Sequence, residues 1–293
     1  MPSSLEPGTD NTLAERIELD LALLTAGALF SRVVKLLKSA ALACVLTASI
    51  AVMAPTAAAA YPVKDPKLTK NPLYEAGALP TTTCAESELK RNNLTLARAY
   101  LDAVVACLET AWEQHLTNAG LSYEKVKVRH MNRIPKNYCG FDVGKEDSQA
   151  WYCGRNGTLV FQLGKGWLDN PYDLWLFNTA SSLYGYHVQK LVGISAAYDK
   201  LRYRNRTEYD EQERRQSLQS ECLGGVFMKS VWPIEGRTTN DWNELLDIVQ
   251  GDEPGERRWF GKTSTVKSWM RRGFASGDPG SCNTWAAPSS KVA

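Results

Sequence analysis

The chain has 293 residues, with 34 Lys and Arg against 32 Asp and Glu, for a formal charge of +2. That near-neutral balance argues against nucleic acid or an acidic surface as a partner, and the length suffices for one large core or two small ones. Basic runs such as Arg202-Tyr203-Arg204 and Arg271-Arg272 read as solvated helix faces.

Residues 1–60 read as a targeting segment. Arg32, Lys35 and Lys38 precede an uncharged run from Ser39 through Val63, and Ala57-Ala58-Ala59-Ala60 offers an Ala-x-Ala cleavage signal before Tyr61. The expectation is a secretory signal peptide cleaved near Ala60 and a secreted, extracellular product. The alternative is an uncleaved anchor, because about 20 apolar residues span a bilayer. Contact with a membrane is expected only through this segment. Residues 1–31 carry Glu6, Asp10, Glu15, Glu18 and Asp20 against a lone Arg16, which suits a translation start placed too far upstream. Cys44 lies in the apolar run without a lipobox.

Six further cysteines follow: Cys84, Cys107, Cys139, Cys153, Cys222 and Cys282. An even number in an exported chain favours disulfides, and no Cys-x-x-Cys spacing suggests a metal ribbon. The pairs expected are Cys84–Cys107, Cys139–Cys153 and Cys222–Cys282, each tying together neighbouring elements. The second would close a short loop at the base of a hairpin.

Residues 61–83 are rich in proline, lysine and threonine without periodicity, and read as an extended linker. A helix is predicted over Glu86–Asn118, with Leu94, Leu101, Val105, Leu108 and Trp112 on one stripe, although Asn92-Asn93 suggests a later start. A strand candidate covers 126–130. Trp151-Tyr152-Cys153, the turn Gly154-Arg155-Asn156-Gly157 and Thr158-Leu159-Val160-Phe161 signal a hairpin. The next helix begins after Asn170-Pro171, buries Leu174, Phe177, Ala180, Tyr184, Val188 and Leu191 on one face, and closes at Gly193. Further helices are predicted over Thr207–Val231, stopped by Trp232-Pro233, then Asn240–Val249 and Ser264–Phe274. A turn-rich tail contains Cys282.

Two of these helices carry the functional question. The first reads Ser181-Ser182-Leu183-Tyr184-Gly185-Tyr186-His187-Val188-Gln189, and the second reads Arg215-Gln216-Ser217-Leu218-Gln219-Ser220-Glu221-Cys222-Leu223. With Pro80-Thr81-Thr82-Thr83-Cys84, Tyr152-Cys153-Gly154 and Cys282-Asn283-Thr284-Trp285, they resemble the neutral zinc metallopeptidases. In that zincin-like family the first helix reads Ala-His-Glu-Tyr-Gly-His-His-Val-Gln. The resemblance runs from Asn71-Pro72-Leu73-Tyr74 through the tail. It implies an α+β fold, mostly helical, with a small antiparallel sheet or hairpin beside the active-site helix, and a zincin-like domain over 84–293.

The resemblance also implies what has changed. In a His-Glu-x-x-His motif, residues four apart stand about 40° apart around the helix, so both imidazoles reach one zinc ion. The glutamate between them serves as general base. Ser182 and Tyr186 hold the two ligand positions here, Leu183 holds that of the base, and Ser217 replaces a ligand glutamate on the later helix. Glu221 is kept, and the resemblance implies that an acid there either orients a ligand histidine, as is usual in such folds, or ligates the metal itself. His187 points about 100° away from Tyr186 and reads as a packed or surface histidine. No metal or other cofactor is therefore expected, zinc belonging to active relatives.

The reading favoured is a secreted, catalytically inactive homologue acting as a binding or regulatory protein, with peptide or protein held in the former substrate cleft. Ser182 would hydrogen-bond Glu221 where an imidazole once did, and the hairpin strand beside the cleft would pair with an extended chain. A second reading is an active peptidase with relocated ligands, His187 and Glu221 among them. Only His115 and His130 complete the histidine inventory. A third, a hydrolase using Ser182 or Ser217, lacks the Gly-x-Ser-x-Gly elbow and an ordered Ser/His/Asp set.

Overall fold

A computed structural model describes residues 61–293, Glu235 excepted. The targeting segment read in residues 1–60 lies outside the described residues.

Residues 61–83 are docked on the core, where an extended linker was expected. Asp65 and Asn71 each precede a proline, and each side chain accepts from the backbone N–H two residues on. The pairing of an Asx cap with proline in the first helical position starts a helix even where it is too short to show periodicity. It produces helix α1, Pro66–Thr69, and a 3-10 turn, Pro72–Glu75. Leu68 and Leu73 on these turns are fully buried.

Helix α2 spans Leu94–Asn118, starting later than Glu86. Asn92 has a φ of 55°, which interrupts the helix, and the Asn93 side chain caps it by accepting from Leu96 N. Glu86, outside the helix, instead accepts from Arg237 at 2.8 Å and from the Tyr100 hydroxyl at 2.7 Å.

Five strands follow: β1 Lys127–Met131, β2 Asn137–Tyr138, β3 Phe141–Asp142, β4 Gln149–Cys153 and β5 Thr158–Gln162. The β4–β5 hairpin is antiparallel, and β1 adds to the far side of β5 in parallel, giving the order β1-β5-β4. The sheet is thus mixed, not purely antiparallel, because the chain detours through the β2–β3 hairpin and β4 before β5 lies beside β1. Every residue of β5 is buried. Leu159 and Phe161 face the main core, while Val160 faces a smaller cluster with Ile134 and Val143.

The helical layer is built from α3 Lys165–Leu168, α4 Asp173–Leu191, α5 Ile194–Tyr198, α6 Arg206–Val231, α7 Thr239–Ile248 and α8 Thr263–Ser276. Gly193, with a φ of 78°, turns the chain between α4 and α5. Helices α6 and α8 approach so closely that a Cβ on Gly273 would stand 2.0 Å from the Cys222 carbonyl. Disulfides join Cys84 to Cys107, Cys139 to Cys153 and Cys222 to Cys282. The last ties the tail to α6. Arg215, buried on α6, pairs with Glu211 at 2.7 Å and donates to the carbonyls of Thr284 and Ala287, anchoring the same tail. The fold is α+β and dominated by helix.

Candidate functional site

Helices α4 and α6 cross through small residues. A Cβ on Gly185 would lie 2.6 Å from the Ser220 carbonyl, and one on Gly224 would lie 2.9 Å from Ser182 Oγ. The Ser220 hydroxyl donates to the Ser182 carbonyl, fixing the crossing. Such close backbones leave no room for a side chain at Gly185 or Gly224.

At this crossing the Ser182 hydroxyl donates to Glu221 Oε2 at 2.8 Å. Burial pushes the Glu221 carboxyl above its ordinary pKa, and the Ser182 hydrogen bond partly offsets that. The Tyr186 hydroxyl reaches toward Ser217, and burial, aided by the Glu221 and Glu213 charges, raises its pKa. The Ser217 hydroxyl is buried and has no partner of good hydrogen-bond geometry among the described residues. Leu183 is half-buried and packs against the main core. Ser182, Tyr186, Ser217 and Glu221 therefore gather in one place.

His187, the next residue along α4, does not join them. Its Nε2 faces the Glu124 carbonyl at 2.7 Å and its Nδ1 faces the Tyr152 hydroxyl at 3.0 Å. A carbonyl can only accept, so Nε2 carries the proton and Nδ1 accepts from Tyr152. The ring packs edge-on against Tyr152 and Tyr184, and burial lowers its pKa. The remaining histidines are elsewhere. His130 Nε2 lies 2.7 Å from Asp102, and His115 lines a cleft of about 550 Å³ with Pro72, Glu75, Pro80 and Asn118, to which α4 and α6 contribute no residue.

The sequence reading missed the polar hub beside His187. Glu109 of α2 is buried and accepts from Val126 N at 2.8 Å, from Tyr184 at 3.1 Å and from Tyr123. A signal existed. Glu109 stands four residues after Val105 and three before Trp112, so it shares their buried stripe. A carboxylate there demands donors, and two separate segments, the α2–β1 connection and α4, supply them.

The donor set at the α4–α6 crossing does not fit a zinc ion. Three neutral hydroxyls and one carboxylate offer no imidazole or thiolate, and zinc in proteins is held by histidine, cysteine and carboxylate. Tyr186 would have to ionise to serve, and burial opposes that. Among the described residues, no three His, Cys, Asp or Glu side chains are grouped to hold a metal.

No solved structure matches the chain. A protein of Escherichia coli (strain K12), "Uncharacterized protein YpfJ", is 28% identical over 207 residues, covering 64% of this chain and 71% of that protein. Its counterpart in the O6:H1 strain matches to the same extent. The family described as "Putative neutral zinc metallopeptidase" matches residues 50–285. The match takes in both crossing helices, the mixed sheet and all three disulfides, and the chain belongs to that family.

Proposed function

We propose that this chain is an exported, catalytically inactive member of the family that works by binding peptide or protein beside the former catalytic helix. The observation that carries this is the Ser182–Glu221 hydrogen bond. In the family frame Glu221 would orient a ligand imidazole; here its carboxylate is engaged by a serine standing at that imidazole's position. Leu183 at the position of the general base cannot accept a proton. Export is supported by three disulfides, which persist in oxidising compartments. No helix among the described residues is long and apolar enough to cross a membrane. Strand β4, at one edge of the mixed sheet and packed on α4 through Tyr152 and His187, is the element an extended peptide would join.

The competing reading, an active zinc peptidase with relocated ligands, would use His187. Both of its nitrogens are engaged, by Tyr152 and Glu124, which weighs against it.

Restoration tests the proposal. The parent chain is expected to retain no stoichiometric zinc after dialysis, whereas Ser182→His, Leu183→Glu, Tyr186→His and Ser217→Glu combined should bind it. Stoichiometric zinc in the dialysed parent would overturn the proposal. A folded four-fold variant that binds no zinc would show that these positions are not the ligand frame.

A further inference from the structure

The described chain begins at Tyr61, and the 22 residues before it, Ser39–Ala60, contain no charge. Tyr61 is pinned at the surface. Its backbone N–H donates to Ser289 Oγ at 3.1 Å, and the Arg204 guanidinium lies 5.1 Å from its ring centre. From there a continuous band of arginines and aromatic rings crosses the surface. Tyr203 packs edge-on to Tyr209 at 4.9 Å, and Arg206 and Arg257 both lie over the Tyr209 ring. Arg257 also stacks on Trp259 at 3.2 Å, with Phe260 next in the chain.

Most large hydrophobic side chains are buried, and five remain conspicuously exposed among the described residues. Three of them, Tyr203 at 55%, Trp259 at 40% and Phe260 at 52%, belong to this band. Exposed apolar groups gathered on one face mark a surface that meets something apolar. Net charge does not supply the attraction. Glu208 pairs with Arg204, Asp210 pairs with Arg206 and Arg257, and Glu253 and Glu256 stand on the same loop as Trp259. A partner held by charge alone, such as a polyanion, is therefore a poor match. Trp, Tyr and Arg together are the composition of a bilayer interface, where rings sit at headgroup depth and guanidinium groups stay in the wet layer.

We infer that the face formed by Tyr61, Tyr203, Arg204, Tyr209, Arg257, Trp259 and Phe260 rests on a lipid bilayer surface in a chain that keeps residues 39–60, the uncleaved alternative for that segment. In sequence the uncharged run ends at Tyr61, next to this face, and about 20 apolar residues are what crossing a bilayer requires. The membrane contact thus extends beyond the segment into the folded domain. It does not rest on the inactive-site reading, since none of these residues belongs to the α4–α6 crossing.

Tryptophan fluorescence supplies the test, because residues 1–60 contain no tryptophan. The full chain is reconstituted into phosphatidylcholine vesicles carrying bromine shallow on the acyl chains, a contact quencher. Of the nine tryptophans, Trp259 is the one placed to meet it, so a loss of about one ninth of the emission is expected. Trp259→Phe, an exposed and conservative change, should abolish that loss. Tyr203→Ser with Phe260→Ser should reduce it at least several-fold while circular dichroism stays unchanged. Equal quenching of the parent and Trp259→Phe, or no quenching in either, would overturn the inference. So would shielding of Trp259 from aqueous iodide in lipid-free protein that sediments as a dimer, which would make a second copy the occupant.

Discussion

Ser182→Ala removes the one side-chain donor that Glu221 has among the described residues while leaving the Cβ in place, so packing against Gly224 is preserved. A hydrogen bond to a charged group contributes roughly 1.5–3 kcal/mol, and one between neutral groups about 1 kcal/mol. Glu221 keeps some exposed surface, so water recovers part of the loss, and about 1.5 kcal/mol is expected near pH 8. The pH dependence follows from the direction of the shift. Burial already raises the folded-state pKa of Glu221, and removing Ser182 raises it further. A carboxyl with a raised folded pKa stabilises fully below its unfolded pKa and loses that contribution as pH rises through the folded value. The penalty of Ser182→Ala should therefore shrink to about 0.5 kcal/mol near pH 3, below the ordinary glutamate pKa of about 4.3, where both states are protonated. Urea unfolding followed by tryptophan fluorescence at the two pH values, in a double-mutant cycle with Glu221→Gln, reads the effect directly. A penalty equal at both pH values, or one undiminished when Glu221→Gln is already present, would refute the pairing as the source of the stability.

Gly185→Ala should push α4 and α6 apart, since the new Cβ would stand 2.6 Å from the Ser220 carbonyl; a loss of about 1–3 kcal/mol is expected in thermal unfolding. Arg215→Ala strips a buried partner from Glu211 and the donors from the tail carbonyls. It should cost about 3–5 kcal/mol and raise amide exchange in residues 284–293, measured by mass spectrometry. His187 has the opposite pH sign to Glu221. Its folded pKa is depressed by burial, so its contribution is present above the ordinary value of about 6.5 and is lost as pH falls through the lower folded value. The stability of the parent should fall as pH drops below about 6.5, and His187→Gln should flatten that slope in the same urea assay.

Much of this architecture was legible because long amphipathic helices announce themselves. Leu174, Phe177, Ala180, Tyr184 and Val188 repeat along α4, and all five are buried. The elements that escaped were those whose cause is not periodic. Helix α1 is four residues long and exists through Asp65 and Pro66, a local cap that a window seeking repetition passes over. The parallel pairing of β1 with β5 depends on where an intervening hairpin folds, and alternation of side chains within β1 is indifferent to direction. Glu109 escaped for a third reason. Its donors come from Tyr123, Val126 and Tyr184, and nothing in their spacing announces that they meet. In contrast, Ser182, Tyr186, Ser217 and Glu221 could be grouped from sequence because the family frame aligns two helices whose crossing is fixed by small residues.

On the proposed reading, that fixed crossing is what lets the ligand positions change without loss of the fold. The approach of α4 to α6 is set by Gly185, Ser220 and Gly224, none of which is a ligand position, and by the Ser220 hydrogen bond to the Ser182 carbonyl. A metal is not needed to hold helices whose backbones already interlock. On the proposed reading the obstacle to losing a metal is electrostatic, because leaving the charged Glu221 carboxylate without its donor costs about 1.5 kcal/mol. The Ser182 hydroxyl removes that obstacle by donating to Glu221, and Tyr186 and Leu183 pack against the main core. If the proposed reading holds, changes at these positions are physically coupled: Ser182 supplies the donor that Glu221 needs, and Glu221 the acceptor that the Ser182 hydroxyl needs.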